Sequence, residues 1–237
     1  VDGDDYVEQG YFSCVARSLD EFNPDMVVLS HYSLEDNKKI LRKDFVVQGL
    51  LQDKEYEEVR DKFIYDPTDK NISNPGIISY SLWCKVVRRE IYVKAQEQVD
   101  DKIVIGEDML CSLYCLQLAK SMVCLNDSFY VYRILNNSMM HSYNVKKFEH
   151  FENTVKALVE SDIVDNRRIY AYSFHALCNE YAGIAESVNS ISEFRDKIKE
   201  TQKFKLLYDM ASRVDKSNCD LASRFKIWLV NNKKYNL

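Results

Sequence analysis

The sequence has few of the residues that break helices, with six glycines and three prolines among 237 residues. Because these residues are common in turns, their scarcity favours long helices and short loops. No apolar run approaches the roughly 20 residues that a membrane-crossing helix needs. There are 32 basic residues against 37 acidic ones, so no excess of positive charge points to nucleic acid as a partner.

Several sequence signatures of catalysis are also missing. The chain has no glycine-rich phosphate loop, no Walker sequence, no G-x-S-x-G nucleophile elbow and no H-E-x-x-H zinc motif. Its seven cysteines are odd in number and irregularly spaced, which favours reduced thiols in a cytoplasmic protein over a disulfide framework. Cys111 and Cys115 have the spacing of half a zinc site, but as an isolated pair they are better explained as small buried residues.

The apolar pattern changes character near residue 142. Before that point, β-branched runs predict strands, and residues 121–134 are expected to form two strands or one bent strand. After it, apolar residues recur every three or four positions, which is typical of amphipathic helices. The sequence therefore predicts an α/β region over 1–142 and a helical region over 143–237. The other predicted strands cover 25–32, 43–51 and 103–105, and the predicted helices include 53–66, one that starts after Gly106, 191–214 and 218–234.

Acidic residues crowd the opening stretch VDGDDYVEQG, which contains Asp2, Asp4 and Asp5. Neighbouring carboxylates repel one another unless a cation, an arginine or water lies between them. The spacing does not fit an EF-hand calcium loop, because Val7 and Ser13 stand where that loop needs glycine and glutamate. The stretch is therefore either a solvated turn or a site at which two aspartates share Mg²⁺ or Mn²⁺.

Two later stretches also carry residues suited to chemistry. Glu107 and Asp108 open a predicted helix, where acids commonly cap free amides, although one of them would also suit a general base. Arg133 and His141 flank the turn-forming segment LNNS. Arginine binds phosphate in bidentate fashion and histidine binds metals, but single residues of either type are more often structural.

Taken in order, four stretches resemble family 2 glycosyltransferases of the GT-A fold, of the bacterial type. VDGDDYV resembles their D-S-D-D segment, and SLWCKVVRREIY resembles their W-x-K-hydrophobic-x-R-R stretch. IGEDML is similar to their E-D motif, and FYVYRILNNSMMHS to their Y-x-Y-R-x-x-x-x-S-x-x-H-S segment. Residues 143–237 resemble only the variable helical tails of these enzymes.

The resemblance implies a metal-dependent, inverting hexosyltransferase. Such an enzyme moves a sugar from a nucleotide-sugar donor, commonly UDP-linked, to a hydroxyl group of a glycan or lipid-linked acceptor in bacterial surface polysaccharide synthesis. Asp108 would then be the catalytic base. The remaining implied roles are donor binding by Asp2, Asp4 and Arg133, acceptor binding by Trp83, Lys85 and Glu107, and binding of Mn²⁺ or Mg²⁺ by Asp4 and His141.

In that family the D-x-D motif closes a half of the domain that holds the base and ribose of the donor nucleotide, whereas this sequence begins at the motif. The resemblance therefore implies the C-terminal portion of a GT-A, Rossmann-like domain followed by a helical tail. We expect residues 1–237 alone not to transfer sugar.

Two further interpretations remain open from the sequence. The chain is alternatively a non-catalytic helical interaction module, in which the helical region binds a partner or forms a homodimer. The basic and aromatic segment 223–237 suits either a packed helix with a solvated face or peripheral contact with the inner face of a membrane.

Overall fold

The computed structural model describes four stretches of the chain, which are residues 1–42, 48–64, 78–134 and 144–215. Their residues divide into two compact units. The first unit falls within Val1–Phe63, Gly76–Asp100 and Glu107–Ser138, and the second within Ile64–Pro75, Asp101–Gly106 and Met139–Leu237.

The first unit has an α/β structure. Its described strands are β1 (Tyr6–Val7), β2 (Met26–Glu35), β3 (Lys38–Arg42), β4 (Gly49–Gln52), β5 (Lys85–Val87) and β6 (Ser121–Arg133). Its described helices are α1 (Tyr11–Phe22), α2 (Asp53–Asp61), α3 (Arg89–Gln96) and α4 (Glu107–Leu118).

A parallel pair, β2 and β6, forms the centre of the sheet. Strands β1 and β4 pair antiparallel with β6, whereas β3 and β5 pair antiparallel with β2. The run Met26–Leu29 is almost completely buried, as expected for apolar strand residues covered on both faces. Tyr11 and Val15 of α1 pack against Val27 and Leu29 in this core.

The second unit is helical in its described part. Its helices are α5 (Lys146–Ser161), α6 (Asn166–Ser187), α7 (Ile191–Thr201) and α8 (Lys205–Ser212). Glu152 of α5 accepts a hydrogen bond from the Leu206 N–H at 2.8 Å, which satisfies a free amide in the first turn of α8. The Tyr208 hydroxyl lies 2.6 Å from the hydroxyls of both Tyr181 and Thr201.

The predicted strand at 25–32 is confirmed as β2, and the predicted helices at 53–66 and after Gly106 are confirmed as α2 and α4. Residues 121–134 form one strand, β6, whose pairing with β2 shifts register next to Ser30. The predicted strand at 103–105 is wrong, since the Ile105 carbonyl accepts a hydrogen bond from the Thr154 hydroxyl instead of joining the sheet. The predicted helix at 191–214 is divided into α7 and α8.

Some predictions fall outside the described residues. These are most of the predicted strand at 43–51, of which only the end belongs to β4, and the predicted helix at 218–234. The predicted border at residue 142 stays a prediction, and the sequence pattern did not indicate that Asp101–Gly106 groups with the helical unit. Among the described helices, none has both the length and the apolar character that spanning a bilayer requires.

Replacement of Gly106 by alanine is expected to destabilise the chain. Its φ is +87°, and an added Cβ would lie 2.8 Å from Cγ2 of Thr154. We expect Gly106→Ala to lower the free energy of unfolding by about 1–3 kcal/mol, through strain in the left-handed region and steric overlap. Urea unfolding measures the change.

Gly183 of α6 supplies the matched control, since an added Cβ there has no neighbour within 4 Å. Gly183→Ala should raise the free energy of unfolding by about 1 kcal/mol, because alanine is favoured inside helices. A Gly106→Ala variant as stable as the unsubstituted chain would contradict the expectation.

Candidate active site

Residues 2–5, which we term the acid turn, fold back on themselves at one end of the sheet. The Asp5 N–H donates to the Asp2 carbonyl at 3.1 Å. Strand β1 follows immediately and pairs with the C-terminal end of β6, with Tyr6 opposite Val131. This short pairing places the acid turn beside the last residues of β6.

Tyr130 of β6 binds the acid turn through its hydroxyl group. Its side chain is completely buried, and its hydroxyl donates to Oδ2 of Asp5 at 2.7 Å and accepts from the Asp2 N–H at 3.2 Å. The other oxygen of Asp5 accepts from the Arg133 N–H at 2.8 Å. Both oxygens of Asp5 therefore bind β6, and this carboxylate anchors the turn.

Arg133 ends β6 and contacts the same turn. Its Nε donates to the Asp4 carbonyl, and its main chain binds Asp5. The guanidinium group therefore lies at the acid turn. Its predicted contact with the donor stays a prediction.

Asp2 and Asp4 differ from Asp5 in their contacts. Within the described residues, neither of their carboxylates accepts a hydrogen bond. Desolvation raises the pKa of Asp2 above its ordinary value, and the negative charges of Asp5, Asp108 and Asp4 add to the shift. The acid turn therefore lies within electrostatic reach of Asp108, although the two are far apart in the sequence.

Asp108 lies in the first turn of α4 and binds a neighbouring loop. Its Oδ2 accepts from the Leu82 N–H at 3.2 Å. Desolvation raises the pKa of the adjacent Glu107, and the charge of Asp108 adds to that shift. The helix start thus presents two acids, one of which is oriented by a backbone amide.

The loop that contains Leu82 also carries Trp83. The indole ring stacks on Tyr130 at 4.5 Å and on Tyr132 at 5.3 Å between ring centroids. His31 of β2 meets the same indole edge-on at 4.6 Å. Trp83 therefore lies against the tyrosine whose hydroxyl holds the acid turn, and its predicted contact with an acceptor stays a prediction.

Lys85 is more deeply placed than the sequence suggested. Its side chain is buried, and Nζ donates to the carbonyls of Ser79 at 2.6 Å and Ser81 at 2.5 Å. These partners belong to the protein itself. The acceptor contact predicted for Lys85 remains untested.

The sequence predicts no individual role for Tyr130, Tyr132 or His31. The spacing of Tyr130 and Tyr132 was a usable signal, because alternate residues of a strand share one face.

His141, predicted to bind the metal, lies outside the described residues. Within the described part of the chain, no group of three or more His, Cys, Asp or Glu residues is arranged to hold a metal ion.

Comparisons with known proteins give one curated relative and a set of solved structures. No protein-family model matches the chain. The chain is 24% identical over 147 residues to glycosyltransferase GlyA of Streptococcus pneumoniae serotype 4, a match that covers 62% of this chain and 20% of GlyA. It therefore spans about a fifth of the length of this curated relative.

The solved structures include S. aureus TarS 1–349. The complex with UDP-GlcNAc superposes with a TM-score of 0.52 at 14% identity, over 99% of this chain and 66% of TarS. The complex with UDP gives a TM-score of 0.50 at 15% identity, over 100% of this chain and 62% of TarS. This likeness confirms the α/β class predicted from the sequence, and the match to GlyA supports the resemblance to glycosyltransferases.

Removal of the Tyr130 hydroxyl tests how the acid turn is held. We expect Tyr130→Phe to lower the free energy of unfolding by about 1–3 kcal/mol, because Asp5 and the Asp2 amide lose a buried partner. Chemical denaturation measures the change. Tyr6→Phe is the matched control, since the Tyr6 side chain is 41% exposed. Equal stability of the Tyr130→Phe variant and the unsubstituted chain would contradict this role.

Asp2→Asn tests the repulsion within the site. Because the pKa of Asp2 is raised from 3.8 in the folded chain, ionisation of this group destabilises the folded state. The variant should therefore gain stability at about pH 7, by less than about 1 kcal/mol since exposed charges are screened.

The gain from Asp2→Asn should vanish as the pH falls through the folded-state pKa towards 3.8. Urea unfolding without divalent cations, at several pH values, measures this dependence. Asp20→Asn removes an exposed carboxylate of α1 and serves as the control. A loss of stability in the Asp2 variant at neutral pH would show that the repulsion has been misidentified.

Proposed function

We propose that this chain forms part of an inverting glycosyltransferase that moves a sugar from a nucleotide-sugar donor to a hydroxyl group. The observation that carries the proposal is the set of contacts that joins the two groups of acids. Asp108 accepts from the Leu82 N–H, the adjacent Trp83 stacks on Tyr130, and the Tyr130 hydroxyl binds the acid turn. In this arrangement a carboxylate suited to deprotonating a hydroxyl lies near carboxylates suited to a divalent cation. The match to GlyA and the fold likeness to TarS support the assignment.

In the proposed reaction, Asp108 takes the proton of the acceptor hydroxyl. The acceptor oxygen bonds to the anomeric carbon while the bond from that carbon to the diphosphate oxygen breaks. The nucleoside diphosphate leaves with the electron pair of that bond. The Leu82 N–H binds Oδ2 of Asp108 and so orients the carboxylate that accepts the proton. A single displacement of this kind inverts the anomeric centre and needs one base, whereas glycoside hydrolases use two carboxylates.

The acid turn suits a divalent cation. The carboxylates of Asp2 and Asp4 are hard oxygen ligands in a region of concentrated negative charge, and we propose that they hold Mn²⁺ or Mg²⁺. His141, the further ligand that the sequence predicts, lies outside the described residues. When bound, such an ion neutralises the charge of the departing diphosphate. Asp5 keeps the turn on β6, and Arg133 supplies a cation for the diphosphate at the same place.

We assign the nucleotide as UDP, because the similar TarS structures contain UDP and UDP-GlcNAc. The acceptor would be a glycan or lipid-linked hydroxyl in bacterial surface polysaccharide synthesis. Trp83 offers an aromatic surface for it, and Glu107 lies beside the base. Residues 223–237, for which the sequence leaves a packed helix and a membrane contact open, lie outside the described residues.

Two substitutions in the native protein that contains this sequence test the catalytic base and the donor site separately. We expect Asp108→Asn to lower the rate of UDP release from UDP-GlcNAc by roughly 10²–10⁴-fold, with UDP affinity changed by less than about twofold. Asp4→Asn should weaken Mn²⁺-dependent UDP binding by at least about tenfold, because a metal ligand is lost. Turnover assays and isothermal titration calorimetry measure these effects.

Asp20→Asn is the control for both substitutions, because it removes an acidic side chain from the exposed face of α1. Unchanged turnover in Asp108→Asn would refute the assigned base. Absence of UDP binding by the unsubstituted native protein, with Mn²⁺ or Mg²⁺ present, would favour the non-catalytic interaction module instead.

A further inference from the structure

The side chain of Lys85, at the start of β5, is directed into the protein. Only 8% of the residue is exposed, and the ammonium donates to Ser79 O, Ser81 O and, at 3.8 Å, to Sγ of Cys84. The ring of Phe63 lies 5.9 Å from Nζ. A buried ammonium is costly unless its three donors are satisfied, and here contacts within the protein satisfy them.

The carbonyls that Lys85 binds belong to residues 79–84, which we term the Trp loop. Helix α4 holds the same loop from another direction. The Ser112 hydroxyl donates to the Tyr80 carbonyl at 3.0 Å, and Asp108, one helical turn earlier, accepts from the Leu82 N–H. Side chains of Lys85 and α4 therefore bind successive peptide groups of the Trp loop.

One of these peptide groups is shared. The carbonyl of Ser81 and the N–H of Leu82 are the two ends of a single peptide unit, which is planar. Lys85 donates to its oxygen, and Asp108 accepts from its nitrogen. Because the plane is rigid, fixing the carbonyl also fixes the direction of the N–H. A cation at the oxygen further polarises the N–H, which strengthens a hydrogen bond to a carboxylate.

We infer that Lys85 is a positioning residue that orients Asp108 through the Ser81–Leu82 peptide group, and does not bind the acceptor. The inference deepens the proposed function and rests on it, because it takes Asp108 as the base. The next residue, Trp83, is held by the same contacts. Lys85 thus sets the position of both the base and the aromatic surface without touching substrate.

The first test uses the chain without any ligand. Trp83 and Trp228 are its two tryptophans, so a Trp228→Phe background leaves Trp83 as the single fluorophore. We expect Lys85→Met in that background to increase acrylamide quenching of Trp83 by about twofold, because the carbonyls of Ser79 and Ser81 lose their contact with the ammonium. Lys94→Met, which changes an exposed lysine of α3, should leave quenching unchanged. A Lys85 that only contacts substrate would also leave it unchanged, and that result would overturn the inference.

The second test uses UDP release from UDP-GlcNAc by the native protein. Lys85→Met should lower kcat by roughly ten- to a hundredfold and leave the KM for the donor within about twofold, because only the position of the base changes. In an Asp108→Asn background the same substitution should have almost no further effect, since residues that act as a unit are not additive. An equal loss in both backgrounds would indicate a general structural role and would overturn the inference.

If Lys85→Met does not fold, Ser112→Ala removes a hydrogen bond that α4 donates to the Trp loop and should lower kcat in the same direction. Unchanged kcat and unchanged Trp83 quenching in Ser112→Ala would then overturn the inference. A native protein that releases no UDP refutes the proposed function and with it the role in catalysis, whereas the quenching data still decide whether Lys85 holds the Trp loop.

Discussion

The candidate site depends on the hydroxyl of the buried Tyr130, which fixes the position of the acid turn. Like charges separate unless the backbone that bears them is held by other contacts. Here one phenol binds both ends of the acid turn, through Asp5 and the Asp2 amide, and its ring supports Trp83. Both oxygens of Asp5 accept hydrogen bonds from β6. This contact keeps Asp2 and Asp4 close together, although their own carboxylates do not bind the strand.

The loop at Leu82 shows a second way of positioning a functional group. Asp108 is placed by the start of α4, but its orientation depends on a backbone amide from a segment distant in sequence. That segment is itself held by a buried lysine and a buried serine. Lys85 and Ser112 support the candidate base through this segment and touch neither donor nor acceptor in the proposed reaction. Precise active sites depend on such supporting contacts.

Local sequence signals predicted several elements and did not predict the contacts between them. The start of α4 after Gly106 and the buried run of β2 were predictable, because caps and apolar runs are local features. Residues 103–105 have the composition of a strand, yet the Ile105 carbonyl accepts a hydrogen bond from the Thr154 hydroxyl. The burial of Lys85 was not predictable either, since its partners are backbone carbonyls, which every residue type supplies equally.

The hydrogen bond from Tyr130 to Asp5 joins residues 125 positions apart in the chain. Contacts of such long sequence separation form late, because the chain must lose the entropy of closing a long loop before the contact can stabilise it. During synthesis the acid turn emerges long before β6 exists to hold it. The contacts from Tyr130 and Arg133 that hold the acid turn therefore form only when β6 has joined the sheet.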